Sequence, residues 1–155
     1  MVYNLKWVHI TRSLKMSEEI YSKVDPELLL CVIMRGSNIT ENRVDLSPES
    51  EPLQVACKKL MSGTKFKPHK HNTLERQTMI TQESWVFLRG KVRASFYDID
   101  DEVIHVTDLG AGDCAVVFKA GHSFDVLEDD TVLYEFKNGP YFGLEKDKTF
   151  INEKH

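Results

Sequence analysis

The residues best placed to do chemistry together are His69 and His71, in the segment GTKFKPHKH at 63–71. On an extended strand, residues i and i+2 face the same side, so two imidazoles at this spacing point into one space. That is how a chain offers a pair of nitrogen ligands to a metal ion. On an exposed face the same pair does nothing, so its surroundings decide the reading. Two carboxylates follow it. Glu75 has three residues between it and His71, and Glu83 opens the run ESWVFLR at 83–89. Glu83 shares its parity with Trp85 and Phe87, so it points into an apolar interior, where a carboxylate is costly unless it meets a cation. Glu75 stands beside Arg76 in a polar stretch and reads as a loop or surface-paired residue.

These residues need strands to hold them. ELLLCVIMR (27–35) is a compact apolar run between Pro26 and Gly36 and reads as a buried strand. KWVHI (6–10) reads as a short strand, and KMSEEIYSKV (15–24) has weak helical character. From Leu53 the pattern alternates with period two: LQVACKKLM, ESWVFLR, VRASFYD, EVIHVTDL, CAVVF, HSFDVLE and TVLYEFK. Ser62-Gly63, Gly90-Lys91 and GAGD (110–113) mark turns, and the last two runs read as a hairpin around Asp129-Asp130. Leu53, Val55, Trp85, Phe87, Val92 and Phe96 form the expected inner face. Phe118 and Phe124 are further core candidates, His105 is expected to face outward, and DIDDE (98–102) reads as a solvated tip. Many short strands with no long helix predict an all-β sandwich or barrel. One domain is expected over 1–155, with 1–52 an N-terminal extension and 53–137 the barrel core.

Two longer patterns give this frame a family likeness. Gly63 precedes His69 by six positions and Glu83 precedes Gly90 by seven. That order resembles the first cupin motif, a glycine followed by His-x-His, then a glutamate and a second glycine. The loop NTLERQTMITQ (72–82) is longer than usual there. GDCAVVFKAGH (112–122) resembles the second cupin motif, with Gly112 and His122 aligned with its ends. His122 arrives one residue early, Phe118 replaces a proline and Val126 an asparagine. The resemblance covers roughly 53–137. It implies an antiparallel double-stranded β-helix, the jelly-roll or cupin-type barrel, with a metal held by histidines and a glutamate. Carried onto this chain, the metal ligands are His69, His71, Glu83 and His122. More narrowly, QESWVFLRGKVRASFYDIDDE and the ending YEFKNGPYFGLEKDK look like small cupins encoded among polysaccharide and nucleotide-sugar genes.

The implied cofactor is a divalent transition metal ion, since imidazole and carboxylate suit iron, manganese, nickel, cobalt and zinc alike. The implied function is a metal-binding cupin acting on a small polar molecule, an isomerase or epimerase on a sugar or nucleotide sugar. A metal-dependent dioxygenase is one alternative, because two histidines and a carboxylate resemble a non-haem iron site. A non-catalytic small-molecule-binding cupin is another. Some sugar ketoisomerases of this fold work through histidine without metal.

Composition bounds the partners. A net charge of −4 gives no electrostatic reason to bind nucleic acid or an anionic membrane. No apolar run approaches the ~20 residues of a membrane span, and the N-terminus lacks the layout of a signal peptide. Cys31, Cys57 and Cys114 are too few and too widely spaced for a disulfide framework. A cytoplasmic protein is therefore expected. The apolar run at 27–35 would be too exposed on a monomer, which predicts a homodimer with residues 1–35 contributing.

Overall fold

The apolar run around Cys31 is continuous because its strand is buried on both faces. In the computed structural model, which describes residues 16–151, Leu30 to Met34 are all buried. The strands are β1 (Ser17–Tyr21), β2 (Leu29–Met34), β3 (Val44–Asp45), β4 (Ala56–Cys57), β5 (Glu83–Arg89), β6 (Lys91–Tyr97), β7 (Val103–Gly110), β8 (Cys114–Val117), β9 (Gly121–Val126) and β10 (Val132–Lys137). One short helix, α1 (Leu144–Asp147), follows. The fold is all-β and antiparallel.

The strands form a five-stranded sheet, β1-β2-β8-β5-β10, a three-stranded sheet, β7-β6-β9, and a small β3-β4 pair. The two larger sheets share one core. Cys31 and Ile33 from β2, Trp85 and Phe87 from β5, Val92 and Phe96 from β6, and Leu109 from β7 meet in it. The other face of the five-stranded sheet carries Val32, Met34, Val116 and Phe118. The segment around Leu46, Leu53 and Val55 covers that face. The sheets face each other, and among the described residues they do not close into a barrel.

Several expectations change. Trp85, Phe87, Val92 and Phe96 share the inner core as expected, but Leu53 and Val55 lie against the outer face. Residues 53–61 hold only the two-residue β4, paired to β3. Within the weak helical stretch 15–24, Ser17–Tyr21 form strand β1, because pairing with β2 buries Ile20 while Glu19 and Tyr21 face the other way. Residues 17–34 take part in the five-stranded sheet, where β2 sits between β1 and β8. The run at 27–35 is thus buried within its own chain, which removes that argument for a dimer. KWVHI, and His9 and His155, lie outside the described residues. Among those described, no helix is long and apolar enough to cross a membrane.

The chain crosses between sheets where hairpins are expected. β5 and β6 join at Gly90, whose φ is +77°, yet β5 pairs with β8 and β10 while β6 pairs with β7 and β9. β9 and β10 likewise enter different sheets. A bulge between Phe96 and Tyr97 lets both rings be buried in succession. His105 is largely buried, its Nε2 3.5 Å from Glu18. Asp98 is buried too, accepting the Lys23 N–H at 2.6 Å, so only the rest of its turn is solvated.

Candidate functional site

Glu83 begins β5 directly opposite Lys137, the last residue of β10. The strand ends are clamped there. The Gln82 N–H donates to Asn138 Oδ1 at 2.6 Å, and the Asn138 N–H donates back to the Gln82 carbonyl at 3.3 Å. The Glu83 side chain is only 5% exposed, yet two ammonium groups and an imidazole surround it. Lys137 Nζ is 2.7 Å from Oε1, Lys148 Nζ is 3.6 Å from the same oxygen, and His122 Nε2 is 3.2 Å from Oε2. Burial alone would raise the Glu83 pKa. The hydrogen bonds and charges of His122 and Lys137 outweigh it and hold the carboxyl at about 2. Lys137 is correspondingly pushed up, because its bonds to Glu83 and Glu135 outweigh its own desolvation.

His122 sits on β9, on the opposing sheet. Its Nδ1 faces the Ala120 carbonyl at 3.3 Å, and the Trp85 ring packs edge-on against it at 5.1 Å between centroids. Phe124 meets the other part of Trp85 at 5.2 Å, also edge-on. Both ring nitrogens of His122 therefore have oxygen neighbours, and its plane is fixed by aromatic contact.

A cavity of about 660 Å³ opens beside this cluster, lined by Glu83, Trp85, His122 and Phe124 and, from the C-terminal segment, Asp147, Lys148 and Phe150. Two of these residues keep a polar atom buried, out of reach of solvent and without a hydrogen-bond partner: the Trp85 Nε1 donor and the Asp147 Oδ2 acceptor. The other Asp147 oxygen accepts from the Thr81 hydroxyl. Tyr97 and Ser123 meet through their hydroxyls at 3.3 Å on the same wall. A cavity lined by aromatic and charged side chains together suits a small polar guest.

The four expected ligands separate into two pairs. Glu83 and His122 touch. His69 and His71 lie on an exposed segment that carries no strand, so the same-side argument from strand geometry does not apply to them. Their rings are 5.5 Å apart, and His69 Nδ1 lies 2.9 Å from the Lys67 carbonyl. Glu75 is exposed on the same segment. Among the described residues no three His, Cys, Asp or Glu side chains gather to hold a metal ion. The chemistry of Glu83 agrees: the cation its burial demands is the Lys137 ammonium, and a metal there would stand against two lysines. The residues present do not fit a metal centre in this arrangement.

Lys137, Lys148 and Asp147 carry no signal in the sequence. Lys137 meets Glu83 only through the β5–β10 register, and the other two arrive from a turn-rich tail. Comparison of the chain with protein families, with curated proteins and with solved structures finds no match, so the site stands on its own geometry.

Proposed function

We propose that the chain is a small-molecule-binding protein of cupin-like jelly-roll type, whose cavity takes a hydroxyl-bearing guest such as a sugar or the sugar part of a nucleotide sugar. The observation that carries this is the make-up of the cavity lining, where the aromatic side chains of Trp85, Phe124 and Phe150 stand beside the polar ones of Ser123, Asp147 and Lys148. A sugar hydroxyl can donate to a carboxylate such as Asp147 and accept from an ammonium such as Lys148. The faces of Phe124 and Phe150 offer apolar surface to the C–H side of such a ring. The jelly-roll reading is supported by the repeated passage of the chain between facing sheets from β5 to β10.

Proton transfer, as in an isomerase or epimerase, is the second reading, and the Glu83–His122 contact favours it. Glu83 is too weak a base at about 2 to accept the proton, and both His122 nitrogens face oxygens, so in this reading one of the two His122 contacts opens for the imidazole to reach a guest. The dioxygenase reading needs a two-histidine, one-carboxylate set that the described residues do not bring together.

The test is titration of the protein with monosaccharides and nucleotide sugars, followed by calorimetry and by tryptophan fluorescence in a Trp7→Phe background, where Trp85 is the one remaining tryptophan. Saturable binding that weakens at least tenfold in Asp147→Asn is the expected result. No saturable binding to any member of the series, with Asp147→Asn indistinguishable from wild type, rejects the reading.

A further inference from the structure

Between β4 and β5 the chain forms an arm with an unusual surface. Residues 58–77 are exposed from end to end, including Met61, Phe66 and Leu74, and the arm contains no strand. A stretch of this length without regular structure is uncommon in a small domain and is usually either a functional loop or a linker. It is also basic. Lys58, Lys59, Lys65, Lys67 and Lys70 fall within 58–71, with no acidic residue among them.

The complementary surface lies on the same molecule. β9 and β10 are edge strands, each paired on one side only among the described residues. The short connection 127–131 joins them, which puts both open edges on one side of the fold. Val126, Tyr134 and Phe136 are exposed there. This region is acidic: Asp125, Glu128, Asp129, Asp130 and Glu135 fall within 125–135, with no lysine or arginine. Open edges with apolar side chains are templates for an added strand.

We propose that two copies of the chain associate by exchanging arms, each laying residues 58–71 along the β9–β10 edge of the other. The charge match selects the pairing, and the exposed apolar side chains of both surfaces are covered by it. A second copy is the occupant because the arm is exposed throughout in its own chain and β9 and β10 have no second strand partner among the described residues, so both surfaces are left uncovered within one copy while their charges match. Two-fold exchange then satisfies both arms and both edges at once. Gly121 to Phe124 of β9 and Glu135 of β10 also line the cavity, so the interface borders that site, but its test requires no guest.

The test uses the full chain and two charge-reversed variants. The first carries Lys65→Glu, Lys67→Glu and Lys70→Glu; the second carries Asp125→Lys, Glu128→Lys and Asp129→Lys. All six positions are exposed, so each fold is checked by circular dichroism and melting. Light scattering should give twice the 17.9 kDa chain mass for wild type and the single-chain mass for either variant alone. An equimolar mixture of the two variants should return to twice the chain mass, since each arm then meets an edge of opposite sign. A monomeric wild type overturns the proposal, as does a dimer that survives in either variant. Variants that stay monomeric when mixed overturn it too, because a within-chain or third-party contact would behave that way.

Discussion

Glu83 and Lys137 are register partners across the β5–β10 ladder, and the ammonium lies 2.7 Å from the carboxylate. The pair makes the buried charge of β5 tolerable. Breaking it by removing one partner should cost more than replacing both. Glu83→Gln leaves Lys137 and His122 facing a neutral amide and should lose about 3 kcal/mol of stability. Glu83→Leu with Lys137→Met should lose less. Urea denaturation of the three proteins measures the difference.

Acid sensitivity follows from the same group. Glu83 is held at about 2 in the folded chain against an ordinary value of 4.5. Because the folded value is the lower one, its contribution is fully present above the ordinary value and is lost as pH falls from about 4.5 toward 2. Melting temperature should therefore drop steeply across that window, and the drop should be shallower in Glu83→Gln. Parallel slopes would mean the acid response comes from other carboxylates.

Gly90 separates the two sheets at a left-handed φ of +77°, and a Cβ there would collide with Thr131. Gly63 has a similar φ of +83° in open space on the arm. Gly90→Ala should thus lose about 2 kcal/mol or more, and Gly63→Ala about 1 kcal/mol. Equilibrium unfolding of both variants checks the order.

His69 and His71 on the arm give the metal expectation a direct check. Replacing both with alanine should change stability by less than about 0.5 kcal/mol and leave sugar titrations unchanged. Elemental analysis of wild type and the double variant should agree. Stoichiometric metal lost in the double variant would bring the arm back against Glu83 and His122.

Thiol labelling reads the burial. Cys31 is pushed up to about 12, mainly by burial with the Glu18 charge adding, and Cys114 is raised by burial as well. Cys57 is half-buried. A thiol reagent at neutral pH should therefore modify Cys57 first and reach Cys31 and Cys114 only on unfolding.

The strands of 83–137 were legible because alternation marks which side chains enter a core. The runs ESWVFLR, VRASFYD, EVIHVTDL and CAVVF correspond to β5 to β8. Their partners were not legible, because adjacent runs such as ESWVFLR and VRASFYD look like a hairpin whether or not they enter the same sheet. Leu53 and Val55 alternate too, but alternation does not say which of a sheet's two faces is being covered. At the site, the parity of Glu83 indicated burial, and a cation was needed to meet it. The identity of that cation depended on the distant register partner Lys137, which local pattern does not encode. The His69–His71 spacing assumed a strand, and the exposed arm supplies none.

The place of β2 between β1 and β8 has a consequence for synthesis. β2 ends at Met34 and β8 begins at Cys114, so a nascent chain carries the apolar strand Leu29–Met34 with one side unpaired until β8 leaves the ribosome. At about 5–20 residues per second, that interval is on the order of 4–16 s. During it the sequence LLCVIM is a sticky edge, open to other nascent chains or to holding chaperones. Fragments that stop before Cys114 should keep that edge open permanently and aggregate, however well their remaining strands pair.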